Sequence, residues 1–296
     1  MKKTSRKDMD ILNRLFREQE DVLGSTQTTI TALECLRRSL RLLKCRVEDI
    51  PRQIIEVSGA INHTEPRVIP LIHLMERFES EIRPCHGKDV AEVRQAADRI
   101  LADNIACIEN HRRKLVQYGL SCVADDDVIF LHSVSSTVLR ILLEAKSSGR
   151  RFRVIVLKQD IRKTRQVVIP LIRAGVAIRT VPEYSLGHFV EEATRFFLGA
   201  ISITRDNRVV AAAGTGSIVG MCHLHHVPVY LFIDSLKFSH QNAADQNIHH
   251  KTFSQRHDNG WRIEMSTQSH DFFDAALVDH LITETGERGG GCSGTD

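Results

Sequence analysis

The chain has no C-x-x-C pair, no apolar run long enough to cross a bilayer, no strong excess of charge and no internal repeat. Its seven cysteines, Cys35, Cys45, Cys85, Cys107, Cys122, Cys222 and Cys292, are odd in number and widely spaced. The chain opens on Met1-Lys2-Lys3-Thr4-Ser5-Arg6-Lys7, without the apolar stretch of a secretory leader. Together these features predict reduced thiols in a cytoplasmic protein rather than a disulfide framework. A membrane helix needs about 18 consecutive apolar residues, and no stretch approaches that. The formal charge of +3 is too small to mark a nucleic-acid-binding chain. It arises wholly in residues 1–120, which hold 21 Lys plus Arg against 18 Asp plus Glu.

What is present is an ordinary globular composition, 42% hydrophobic and 26% charged over 296 residues. That length lies near the size at which one core splits into two. From Asp8 to about Tyr118 the apolar spacing is helical: Ile11, Leu12, Leu15 and Phe16; Leu33, Leu36, Leu40 and Leu43; Ile69, Leu71, Ile72 and Met75. Breaks at Gly24-Ser25-Thr26, Ile50-Pro51, Thr64-Glu65-Pro66 and residues 83–87 divide this part into about five helices. The expected organisation is a helical domain over residues 1–120, a second domain over 121–288 and a tail over 289–296.

After Asp125-Asp126-Asp127 the period changes. Short apolar runs beginning at Val128, Phe152 and Val176 alternate with helical stretches from Thr137 and Arg162, the pattern of a Rossmann-like, doubly wound parallel sheet. Ligands of such sheets bind beyond the carboxyl ends of the strands, where strand order reverses. At that edge Gly214-Thr215-Gly216-Ser217 opens an apolar helix, so unpaired amides and the positive end of a helix dipole are offered together. Lys237, after the strand that ends at Ile233, adds a mobile cation. Phosphate is the anion this predicts. Residues 239–262 read as a polar surface excursion, and a last helix is expected over Ala275 to Glu284.

Several elements in this order resemble a known family. They are His132-Ser133 with Ser135, Gly199-Ala200, Gly214-Thr215, Val227-Pro228, Asp234-Ser235 with Lys237, and residues 282–286. The chain resembles the alpha, beta and delta regulatory subunits of translation initiation factor 2B, a family that includes ribose-1,5-bisphosphate and methylthioribose-1-phosphate isomerases. The resemblance implies a helical domain, a Rossmann-like domain and a homodimer, or a hetero-oligomer with related subunits. It also implies a ligand cleft between the domains, with Gly24, Ser25, Ser133, Ser135, Gly214, Thr215, Gly216 and Lys237 as its lining.

In the isomerases a cysteine after the first strand and an aspartate after the Gly-Ala pair move protons. Here those positions are Ser133 and Ile201, and an Asn-Lys pair before the glycine turn becomes Ala211-Ala212. Proton transfer needs a group that titrates near the working pH, which isoleucine cannot supply. The expectation is a non-catalytic regulatory or sensor protein that needs no cofactor and binds a sugar phosphate or nucleotide. An isomerase using Asp206, Asp234 or His132 as acid and base is the alternative, and a subunit whose pocket is a relic is a third. His132 and Ser133 point to opposite faces of a strand and make no nucleophile pair. His223, His225, His226, His240, His249 and His250 lack the cysteine or carboxylate spacing of a zinc site. Arg37, Arg38, Arg41, Lys44 and Arg46 form a basic helix face, read as solvated surface.

Overall fold

The computed structural model describes residues 6–42, 46–64, 67–85, 88–133, 135–158, 161–245, 250–256, 261–268 and 270–288. Lys44, His249 and the tail from residue 289 lie outside them. The chain separates into two compact units, Met1–Lys114 and Leu115–Asp296.

The first unit is helical. Its long helix α1 (Arg6–Leu42) bends at Gly24, whose φ of 74° no helix interior tolerates. Helix α2 (Ile50–Asn62) has Pro51 in its first turn, so the Ile50-Pro51 position expected as a break is a helix start. Helix α3 (Ile69–Ile82) buries Leu71, Leu74, Met75, Phe78 and Ile82, and α4 (Val90–Ser121) follows. The basic face on α1 is not simply solvated. The Arg37 guanidinium forks onto both Asp98 oxygens at 2.8 and 2.9 Å, and Arg41 reaches the same carboxylate at 2.7 Å.

The second unit is built on strands β1 (Val128–Leu131), β2 (Arg153–Lys158), β3 (Ala177–Pro182) and β4 (Arg195–Gly199). Helices α5 (Ser136–Ser147) and α6 (Ile161–Arg173) connect the first three. Two short strands, β5 (Ser202–Ile203) and β6 (Arg208–Ala212), precede α7 (Thr215–Leu224) and β7 (Val229–Phe232). The hairpin β8 (His250–Arg256) and β9 (Arg262–Gln268) comes next, then β10 (His270–Asp274), β11 (His280–Thr283) and β12 (Gly286–Arg288).

Seven strands form one sheet in the order β12-β11-β7-β4-β1-β2-β3, parallel except for β12. Strand order reverses between β1 and β4, so the place where such sheets bind their ligands lies where those two strands end. The sheet is covered on both faces. One face packs Phe130, Leu157, Phe196, Leu198 and Leu231 against Ile218, Val219 and Cys222 of α7. The other packs Ile129, Leu131, Val154, Val156 and Phe197 against Ile141, Leu142, Val167 and Leu171 of α5 and α6. Alternate residues of one strand feed opposite cores, as the two-residue period requires.

One expectation fails here. No helix spans Ala275 to Glu284: Ala275–Leu277 is a single 3-10 turn and His280–Thr283 is β11, paired in parallel with β7. The apolar spacing of Leu277, Val278, Leu281 and Ile282 fits a helix, but so short a run is ambiguous, and the slot beside β7 captures it as a buried strand. The polar excursion over 239–262 contains β8 and leads into β9, which pairs with it as a two-stranded antiparallel sheet.

Candidate functional site

The β1 strand delivers His132 and Ser133 to the reversal point, and the chain turns into α5 with Ser135 as its N-cap. The Ser135 hydroxyl accepts from the Val138 amide at 3.3 Å. The same hydroxyl lies over Gly199 at the end of β4, where an added Cβ would come within 2.4 Å of the Ser135 oxygen. Glycine at 199 is therefore what lets the two loops close across the crevice. Ser133 is half-buried at the same edge.

Gly214, with φ 91°, turns the chain from β6 into α7 in the left-handed region. Crowding reinforces that requirement, because a Cβ there would meet Glu183 and the His132 ring at 3.3 Å. Thr215 is fully buried. Its hydroxyl donates to the Ala212 carbonyl at 2.6 Å, and His132 Nδ1 lies 3.0 Å from the same oxygen. A carbonyl can only accept, so the hydroxyl proton is committed to Ala212 and Nδ1–H donates to Thr215. On the other side of the ring, Nε2 meets Glu183 Oε1 at 2.8 Å. The result is a closed chain, Glu183 to His132 to Thr215 to Ala212, packed under the glycine turn. Both ring nitrogens of His132 are spent on it, so none serves Ser133.

The first turn of α7 is also occupied. The Gly216 amide donates to Asp271 Oδ2 at 3.0 Å. Asp271 stands opposite Ala211 in the pairing of β10 with β6, and that register carries its carboxylate to the helix start. An anion at a helix N-terminus is favoured both by the unpaired amides and by the dipole. The anion here is intramolecular. Lys237 lies in a 3-10 turn after β7, its ammonium donating to the Ala200 carbonyl at 2.9 Å. It is half-buried and turned back on the end of β4 rather than out to solvent.

Ser133, Ser135, Gly214, Thr215, Gly216 and Lys237 thus gather at the carboxyl edge of the sheet. Gly24 and Ser25 belong to the helical unit. Gly24 makes the bend in α1, and the buried Ser25 uses its carbonyl to accept from the Thr29 hydroxyl at 2.8 Å. Of the alternative acid and base candidates, Asp206 accepts from the Ala243 amide and Asp234 from the Leu236 amide, each at 2.9 Å. Ile201 is held by a backbone bond to Val210 at 2.8 Å. Sequence reading missed Glu183 and Asp271, which lie 51 and 55 residues from their partners. Nothing local to either residue signals the contact.

A mostly parallel sheet whose strand order reverses between β1 and β4, with a glycine turn opening α7, defines the Rossmann-like class of doubly wound α/β proteins. Residues 21–288 match the family model described as the Initiation factor 2 subunit family, and the chain belongs to that family. A putative translation initiation factor eIF-2B subunit 2-like protein of Pyrococcus horikoshii is 32% identical over 136 residues, 44% of this chain and 48% of that protein. The ribose 1,5-bisphosphate isomerase of Archaeoglobus fulgidus is 25% identical over 220 residues, 74% of this chain and 68% of the enzyme. The matched stretch spans about half the length of the eIF-2B subunit 2-like relatives. Among solved structures, the P. horikoshii translation initiation factor eIF-2B superposes with a TM-score of 0.76 at 24% identity, covering 96% of this chain and 97% of that one. A chain of the tetrameric eIF2B-beta2-delta2 complex from C. thermophilum gives 0.72 at 17% identity, over 95% and 90%. These two likenesses establish the fold. Among the described residues no helix is long and apolar enough to cross a membrane.

Proposed function

We propose that this chain is a non-catalytic regulatory subunit of the initiation factor 2B kind, acting in the cytoplasm in assembly with related subunits. The observation that carries the reading is the closed polar chemistry of the carboxyl edge. The three acid and base candidates are each held by their own chain: His132 between Thr215 and Glu183, Asp234 on Leu236, and Asp206 out on Ala243. The remaining positions are Ser133 and Ile201, and isoleucine carries no proton to transfer. Assembly with related subunits is favoured by the likeness to a subunit of a tetrameric complex.

The same edge is the proposed place for a phosphorylated small molecule, a sugar phosphate or a nucleotide. Its phosphate would take the position of Asp271 on the Gly216 amide, and the Lys237 ammonium would turn from the Ala200 carbonyl to meet it. Asp271 is then a competitor, and the site is held in a self-occupied state until a ligand displaces it. Without a ligand the pocket is satisfied by its own chain, which accounts for a glycine turn and a lysine with no catalytic groups between them.

Thermal stability is to be followed while ribose 1,5-bisphosphate and nucleoside monophosphates are titrated into the wild type, Asp271→Asn and Lys237→Ala. A ligand at 100 times its Kd adds about 2.7 kcal/mol. Tighter apparent binding is expected in Asp271→Asn and weaker binding in Lys237→Ala. Stabilisation of neither the wild type nor Asp271→Asn by any of these compounds removes the ligand. Ketose formation from ribose 1,5-bisphosphate removes the non-catalytic assignment.

A further inference from the structure

The second unit carries its charge unevenly. Residues 121–296 hold 19 Lys plus Arg and 19 Asp plus Glu, yet residues 150–180 contain nine of those cations and a single carboxylate, Asp160. This stretch supplies β2, α6 and β3, which form one edge of the seven-stranded sheet. Helix α6 has four basic residues and no acidic one.

The helix is two-faced in an unusual sense. Val167 and Leu171 are buried against the sheet, as expected of a covering helix. The opposite face is also apolar: Ile161, Ile169 and Ile172 are 64%, 37% and 59% exposed. At 100° per residue, Ile161, Ile172, Arg165, Ile169, Arg162 and Arg173 follow one another around an outward arc of about 120°. All three arginines are exposed. Three isoleucines left in water beside three guanidinium groups suit neither a solvated surface nor a nucleic-acid track. A nucleic-acid surface interleaves cations with stacking aromatics, and the outward arc of α6 has none. Arginine with large apolar side chains is the composition of a protein interface, and the fork of a guanidinium matches carboxylates two at a time.

We propose that the outward face of α6 docks a protein partner that presents an apolar helical stripe flanked by aspartates or glutamates. The isoleucines provide the dry centre and Arg162, Arg165 and Arg173 the charged rim. Steering by the basic edge brings the partner in, and burial of the isoleucines holds it. None of these residues is among those of the carboxyl-edge site, and the peptide that tests the face carries no phosphate.

The probe is a fluorescent synthetic amphipathic helix with a leucine stripe flanked by glutamates, alongside a glutamine-for-glutamate version and single-stranded polyuridylate. Anisotropy is read for the wild type, for Arg162→Glu with Arg165→Glu and Arg173→Glu, and for Ile161→Ser with Ile172→Ser. Both sets change exposed positions, and circular dichroism checks that the fold is retained. The expected result is saturable binding of the glutamate peptide, weakened about tenfold or more by either set and by the glutamine peptide. The proposal is overturned by absence of binding, by indifference to the isoleucine changes, or by polyuridylate binding that depends on the arginines alone. The last result would make the face a polyanion surface.

Discussion

The Gly216 amide and the Asp271 carboxylate meet at 3.0 Å, so the first turn of α7 already carries an anion from its own chain. A glycine turn at a helix start is read from sequence as an open cradle for phosphate. In this protein the same amides and dipole that would draw a phosphate draw a carboxylate from β10. If a phosphate binds as proposed, exchange between the two would be a competition, and one neutralising substitution at Asp271 would shift its balance.

The buried chain beneath that turn makes the first prediction. His132→Ala leaves the Thr215 hydroxyl and the Glu183 carboxylate without their ring partner, and Thr215→Val deprives both Ala212 and His132. Each is expected to cost about 1–3 kcal/mol in urea unfolding. Because the two side chains share one network, the double variant should lose less than the sum of the singles by about 0.5 kcal/mol or more. Strict additivity would show that the residues act separately.

Closure of the crevice makes the second. Gly199→Ala drives a methyl into the Ser135 side chain, whose oxygen lies 2.4 Å from the new Cβ position. A loss of about 1–3 kcal/mol is expected. Ser135→Gly removes the clashing atoms together with the α5 cap, so in the double variant the penalty at 199 should largely vanish while the cost of the lost cap remains. An equal penalty at 199 in both backgrounds would place the strain elsewhere.

Thiol reactivity supplies the third. Burial, with a smaller contribution from Asp279, pushes the Cys222 thiol up to about 12. Burial also raises that of Cys122. Cys35 is exposed on α1. Since the thiolate is the nucleophile, iodoacetamide at neutral pH should label Cys35 and spare Cys222 and Cys122 until the protein unfolds. Peptide mass spectrometry after timed labelling reads this directly. Early modification of Cys222 would mean that the packing of α7 on the sheet opens readily.

The fourth concerns acid. Hydrogen bonds from Arg37 and then Arg41 hold the Asp98 carboxyl far below the usual carboxylate range. An unfolded aspartate titrates near about 3.9. The native group binds protons less readily, so its contribution is complete above that value and is lost as pH falls through the lower native one. Asp98→Asn should therefore lower the melting temperature at pH 6 and flatten its decline between pH 5 and 3. The contact is only partly buried, so added salt should shrink the difference. Parallel melting curves of variant and wild type across that range would rule the triad out as a source of acid sensitivity.

Part of the molecule was legible without coordinates. Periodicities of 3.6 and 2 are local, so the helical first unit, the alternation from Val128 onward and the glycine turn before α7 could all be read from neighbours in the chain. The lack of a titratable side chain at Ile201 needed only the residue's identity. Other features depend on which strands find each other. The run ending at Ile282 became β11 because β7 offered a buried parallel edge, and the register of β10 on β6 set Asp271 at the start of α7. Folding alone brought Glu183 and Thr215 to the two sides of the His132 ring from 51 and 83 residues away.

The sequence by itself determined the helical first unit, the strand and helix alternation that begins at Val128 and the parts available for gripping an anion, since each follows from residue type and short-range spacing; the likeness to the family came from its motifs standing in order along the chain. Only the tertiary structure decided that those parts grip the protein's own carboxylate and carbonyl groups. Buried polar groups must find partners wherever the fold supplies them, and long-range strand pairing is what supplied them here.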